Sequence, residues 1–190
     1  MAGVFTVDDL FAVGSAVTDS WAVGADRDWT ARAGTLDWSC AETASHAVDA
    51  LVAPAFFLAS RRTDRYPEAG WSPSPSSSPE AFIEGAEIGT RILAGVVQTT
   101  PAHVRALLFR NCGTIGAAAD FLPRGALELV LHAHDVCAGL GVAFDPPKEA
   151  CEHLRAHVAD WPFWGSYWPT LRMDGDAWDD LLISTARRHT

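Results

Sequence analysis

Basic charge is what this chain most lacks. It has one lysine, Lys148, and acidic residues outnumber basic ones 24 to 14, for a net charge of −10. That balance argues against nucleic acid and anionic membranes as partners, since both demand a basic surface. No run of about 18 apolar residues occurs, so no membrane span is expected. The N-terminus lacks a basic stretch followed by an apolar one, so no secretory leader is expected. The four cysteines, Cys40, Cys112, Cys137 and Cys151, are far apart and form no C-x-x-C pair. Reduced thiols in a cytoplasmic protein are the simplest reading. No repeat or convincing strand alternation is present, and no Ser-His-Asp pattern stands out. Gly113 and Gly116 lack the strand context of a phosphate loop.

Enough hydrophobic material is present for a core. The 190 residues are 48% hydrophobic, and one domain is the default at that length. Thr6-Val7-Asp8-Asp9 reads as a capping box, followed by Leu10, Val13, Val17 and Trp21 at helical spacing. Ser39 and Glu42 form a second box, which opens a helix running to about Ser60 with Pro54 kinking it. Arg62 to Pro79 is rich in proline and serine and reads as a long, functional or mobile loop. Ser78 and Pro79 start a third helix, with Phe82, Ala86, Gly89, Leu93 and Val96 as its stripe. Between Pro101 and Asp120 the pattern is ambiguous, with His103 to Phe109 reading as helical. A further helix runs from near Pro123 to Gly139–Gly141.

That helix carries Leu127-Glu128-Leu129-Val130-Leu131-His132-Ala133-His134-Asp135-Val136. Positions four apart share a helical face, so Glu128 and His132 point to one place. An acid in apolar surroundings is costly unless it is paired or bound to a metal. The plain alternative is a Glu128–His132 hydrogen bond within the helix. His46, two turns into the second helix, adds a second imidazole. Two histidines and one carboxylate leave a coordination position open, the pattern of catalytic rather than structural zinc. Asp135 lies one turn beyond His132 and suits the acceptor that orients that imidazole. His134 lies about 200° around the helix from His132 and cannot face the same ion. His153 and His157 form another pair four apart, but in a charged setting that reads as a solvated face. Cys137 reads as a small core residue. Arg91, Arg110 and Arg124 are candidates for a substrate carboxylate, with nothing to single one out.

The segments Trp38 to His46 and Glu128-Leu129-Val130-Leu131-His132-Ala133-His134-Asp135 together resemble the DinB/YfiT-like metal-binding four-helix bundles. The nearer likeness is to the N-terminal domain of mycothiol-dependent maleylpyruvate isomerase, and it spans roughly residues 5–145. The resemblance implies an all-α, DinB-like four-helix bundle over residues 1–145. It implies metal ligands at His46, Glu128 and His132, with zinc first and nickel, iron or manganese as alternatives. It also implies mycothiol or another low-molecular-weight thiol as co-substrate, in a transferase or isomerase acting on a small electrophile. A metal-dependent hydrolase or lyase on the same bundle, or a ligand-binding bundle without turnover, are the alternatives. Cys40, Ala41, Glu42 and Thr43 replace part of the family's second-helix motif.

Residues 146–190 form the expected C-terminal extension, with a short helix from Glu149 to Ala159 and a last one from Asp176 to Arg188. Between them Trp161, Phe163, Trp164, Tyr167 and Trp168 crowd into one aromatic run. The run reads as an arm packed on the bundle, with a pocket wall or a homodimer contact as alternatives. Trp38, Trp161, Trp164 and Trp168 are the expected pocket walls around the metal.

Overall fold

Helix starts follow the local chemistry of the caps. In the computed structural model, which describes residues 4–188, α1 spans Val7–Val23, α2 Cys40–Ser60 and α3 Pro79–Thr99. At α1 the Thr6 hydroxyl accepts from the Asp9 N–H while the Asp9 carboxylate accepts from the Thr6 N–H at 2.8 Å. Ser39 and Glu42 make the same reciprocal pair at α2. Each satisfies backbone donors that the helix leaves without partners, and each cap contributes about 1 kcal/mol. α2 continues through Pro54 to Ser60. α4 spans Phe121–Leu140 and ends on Gly141, whose φ of 67° is the left-handed geometry that stops a helix. α5 spans Lys148–Val158 and α6 Ala177–Ser184. The outer ends of the two expected units, residues 1–3 and 189–190, lie outside the described residues.

Mostly helical, the chain also has one hairpin. β1, Arg105–Phe109, pairs antiparallel with β2, Thr114–Ala117, with an irregularity between Leu107 and Phe109. The helical reading of His103 to Phe109 is therefore corrected to a strand. Ala106 through Phe109 are all buried, so neither the alternation of a half-exposed strand nor a distinguishing helical period is visible there. Gly113 turns the hairpin at φ 64°.

α2 is the central element, packed on both α3 and α4, while α1 packs on α3 and α4 as well. α2 is also long and apolar enough for a membrane span by length and composition alone, with a mean hydropathy of 1.2. Here its apolar residues Val48, Leu51, Val52, Ala55 and Leu58 are buried in the protein core. α2 and α4 run antiparallel, since His46 meets His132 at one end and Phe57 meets Arg124 at the other. Two glycines of α4 set the spacing. A methyl group on Gly125 would lie 2.6 Å from Leu93 Cδ2 and 3.0 Å from the Leu51 carbonyl oxygen, and one on Gly139 would lie 2.4 Å from the Arg32 carbonyl oxygen. Backbones so close hold the facing side chains of α2 and α4 in a fixed register.

The extension packs on the other helices. α5 contacts α1 and α4, and α6 packs on α5. Asp180 is buried on α6 and is tied by Arg155 of α5. α6 is shorter than the Asp176–Arg188 helix expected. Ala186 adopts φ 59° and the Arg187 N–H returns to the Leu182 carbonyl at 2.8 Å, which terminates the helix.

Candidate metal centre

His46, Glu128 and His132 converge. Their candidate donor atoms all lie within 4.8 Å of one another. The His46 and His132 rings meet edge to face with centroids 4.9 Å apart, and His132 Nε2 lies 3.4 Å from Glu128 Oε2. The sequence-derived face of α4 and the second turn of α2 thus meet. The plain alternative, a Glu128–His132 pairing within the helix, is present as that 3.4 Å contact, so the pairing and the metal-ligating reading share one geometry.

The donor set suits a divalent cation. Tetrahedral zinc holds donors about 2.0–2.2 Å away, which places them about 3.5 Å from each other. A bound cation would need these side chains to rotate inward to close the remaining gap. The set is open on one side: His132 is buried, while 38% of the Glu128 side chain is exposed. The apolar surroundings expected of this face hold for His132 and not for Glu128.

Electrostatics prepare the ligands. Burial and the neighbouring His132 hold His46 below its ordinary imidazole value, so it is neutral and free to ligate near pH 7. Burial would lower His132 too, but its hydrogen bond to the Asp135 carboxylate and its contact with the Glu128 carboxylate outweigh it and leave its value raised. Burial would raise Glu128, but its contact with His132 and the nearby His46 and Arg124 charges leave it below the ordinary carboxylate value.

Behind the ligands stands a support that reaches across the chain. His132 Nδ1 faces Asp135 Oδ2 at 3.2 Å, which leaves Nε2 as the nitrogen that could ligate a metal. Asp135 is almost fully buried and receives the Arg187 guanidinium as a fork, with Nε at 3.0 Å and Nη2 at 2.8 Å from Oδ2. The left-handed turn at Ala186 aims Arg187 there. Nothing local in the sequence marks Arg187, which lies 52 positions from Asp135.

A cleft of about 340 Å³ lies beside His46, lined by Trp38, Glu42, Ser45, His46, Asp49 and Ser72. The Trp38 ring stands 5.1 Å from that of His46. Ser72 belongs to the Pro- and Ser-rich loop, which Ser45 holds by donating its hydroxyl to the Pro73 carbonyl at 2.6 Å. The loop therefore forms one wall of the cleft.

Three expected pocket tryptophans lie elsewhere. Trp161 packs on Phe109 of β1, the Trp164 N–H donates to the Val158 carbonyl, and Trp168 tilts against Trp164. None of the three lines the His46 cleft. Their aromatic neighbours Phe109 and Phe163 draw the arm to the hairpin, which the sequence reading had taken as helical. His134 points away from the ligands and packs against Trp178. His153 meets Asp9 at 3.0 Å and His157 meets Asp120 at 3.4 Å, so these two histidines serve separate carboxylates. Burial pushes the thiols of Cys40 up to about 11 and of Cys137 and Cys151 up to about 12. These three do not supply a thiolate near neutral pH.

No family model matches the chain, and neither does any curated protein or solved structure.

Proposed function

We propose that this protein is a metal-dependent enzyme on a DinB-like four-helix bundle formed by α1 to α4, with residues 146–190 as an extension. It uses a low-molecular-weight thiol of the mycothiol type to transform a small electrophilic metabolite in the cytoplasm. The observation that carries this reading is the convergence of His46, Glu128 and His132 beside an open cleft. Zinc is the first choice of metal, with nickel, iron and manganese compatible with the same donors.

A divalent cation held by His46, Glu128 and His132 would supply the positive charge that keeps a thiol deprotonated at neutral pH. The chain's own residues do the rest. Asp135 and Arg187 lock the His132 imidazole in its ligating orientation. Trp38 screens one side of the cleft from water. The buried cysteines Cys40, Cys137 and Cys151 are held as neutral thiols, and in this reading the sulfur nucleophile is that of the co-substrate. Its S–H proton passes to solvent, and the sulfur electron pair forms a new C–S bond to an activated double-bond carbon as the C=C π pair moves onto the adjoining carbonyl, to be protonated in the S-conjugate or returned to re-form the double bond as the thiolate leaves. Retention of that bond gives an S-conjugate, and its loss after rearrangement gives an isomer.

A second reading is hydrolysis, with water in place of the thiol. Asp49 favours it, because its carboxylate lines the same cleft as His46 and suits a general base. Cobalt-substituted protein separates the two. Mycothiol should produce an intense near-ultraviolet sulfur-to-cobalt band and alter tryptophan fluorescence. Absence of both, with metal-dependent cleavage of small esters or amides, would replace the thiol reading by the hydrolase. Elemental analysis should find one metal per chain, and a chain that never retains metal overturns both.

A further inference from the structure

One turn before Glu128 on α4 stands Arg124, a cation with few partners. Its guanidinium lies over three aromatic rings, those of Phe57, Phe109 and Tyr66, at 4.8, 5.0 and 5.3 Å from their centroids. Among the described residues it forms no ion pair, and its one hydrogen bond runs from Nη1 to the Tyr66 hydroxyl at 3.0 Å. That hydroxyl is already committed. It donates to the Leu108 carbonyl at 2.9 Å and accepts from the Arg110 N–H at 2.8 Å. Tyr66 thus fixes the guanidinium without neutralising it.

An arginine this enclosed normally has an anion. Burial holds Arg124 below its ordinary value, and the carboxylate whose charge opposes that effect is Glu128. Glu128 is also one of the three candidate metal ligands. Once it serves a cation, Arg124 is left without a counter-charge. Beside the guanidinium opens a cavity of about 230 Å³, lined also by Tyr66, Phe109, Arg110, Asn111 and Phe163. A second cation, an amide and three aromatic rings therefore surround the free donors of Arg124.

We propose that this cavity is a carboxylate-binding site, taking a small planar carboxylate whose charge meets Arg124 and Arg110 and whose body packs on Phe109 and Phe163. Of the guanidinium's five N–H donors one is held by the Tyr66 hydroxyl, which leaves others for hydrogen bonds to a carboxylate. One helical turn, about 6 Å of rise, separates Arg124 from Glu128. The cavity shares no lining residue with the His46 cleft and lies toward the other end of α4, so it is a site separate from the candidate metal centre, and carboxylate binding there does not rest on the reading of the preceding subsection.

Calorimetric titration of the full chain with benzoate, and with its uncharged counterpart benzamide, tests the site. Benzoate should bind one per chain, and benzamide at least about tenfold more weakly. Arg124→Gln should abolish benzoate binding, and Arg124→Lys should weaken it about tenfold by losing the fork. Should Arg124→Gln fail to fold, Arg110→Gln takes its place at the exposed rim. It should weaken benzoate several-fold and leave benzamide unchanged. Equal affinity for benzoate and benzamide, or benzoate affinity unchanged in the folded variants, overturns the proposal. Zinc measured on the same samples separates the two readings. Zinc uptake without benzoate binding overturns the carboxylate site alone. Benzoate binding without zinc supports the site and removes only the metal-dependent reaction.

Discussion

α4 and α5 each present two chemically active side chains four residues apart, and they use them in opposite ways. On α4, Glu128 and His132 turn toward the same point and meet His46 from α2. On α5, His153 and His157 lie on one side of the helix, but each pairs with a different carboxylate, Asp9 in the first turn of α1 and Asp120 at the start of α4. Helical spacing brings side chains to one face, and the facing element decides what they become. Opposite α4 stands a second imidazole and an open cleft. Opposite α5 stand carboxylates that satisfy each histidine separately. The first arrangement keeps ligating nitrogens available, while the second spends them on tying helices together.

The largest contrast is in metal retention. His132→Ala or Glu128→Gln should lower metal affinity by at least about 100-fold, since each removes one of only three protein ligands. His153→Ala and His157→Ala should leave it unchanged. Metal content by elemental analysis after dialysis checks all four, and equal loss in both groups erases the distinction between the helices.

Asp135 sharpens the comparison, because it gives α4 a feature α5 lacks: a carboxylate that orients an imidazole instead of consuming it. Asp135→Asn should reduce metal affinity about 10–100-fold, in the range for groups that hold a ligating histidine. Arg187→Gln should act in the same direction and also destabilise the fold by about 3–5 kcal/mol, because Asp135 would be left buried without its cation. Competition with a chelating dye reads the first effect and urea unfolding the second. Loss of stability with unchanged affinity would reduce this pair to a structural tie.

His153 should behave in the reverse manner. Its ring closes a 3.0 Å contact to Asp9, which is nearly buried and also holds the α1 cap. His153→Ala should cost about 1–2 kcal/mol, as for a buried hydrogen-bond partner removed from a charged group. The urea midpoint should fall while metal content stays constant.

What the sequence made legible tracks what is local. Thr6, Ser39 and Glu42 announce their helix starts because a cap needs only residues three apart. The α4 face was readable for the same reason, and His46 joined it through its place on a capped helix. Non-local features were not readable. β1 is a short strand with four consecutive buried residues, and its identity depends on pairing with β2 and on the Leu107 N–H reaching the Arg62 carbonyl. Arg187 finds Asp135 only after the turn at Ala186 has formed. The aromatic arm showed that it would be buried but not against what, and the misread strand carried the ring, Phe109, that determines where it goes.

The smallest effect concerns Asp120 and its dependence on pH. Its carboxylate sits between α5 and the start of α4, with Oδ1 3.4 Å from His157 Nε2 and Oδ2 accepting from the Ala117 N–H at 2.7 Å. The hydrogen bond with His157, joined by that from Ala117, holds Asp120 below the ordinary aspartate value of 3.8 even though burial pushes the other way. A carboxyl lowered in the folded state releases its proton more readily there than in the unfolded chain. Its contribution to stability is therefore complete above about pH 4–5 and disappears as the pH falls through the lower folded value. With 37% of the Asp120 side chain exposed, solvent screening limits that contribution to less than about 1 kcal/mol. Asp120→Asn should lower the urea midpoint slightly at pH 6, and the difference from the parent chain should shrink as the pH is taken below about 4. His157→Ala should reproduce the loss at pH 6 while leaving metal content untouched. A difference between Asp120→Asn and the parent that grows on acidification would show that Asp120 is stabilised in its neutral form, and the contact to His157 would then not be what holds α5 against α4.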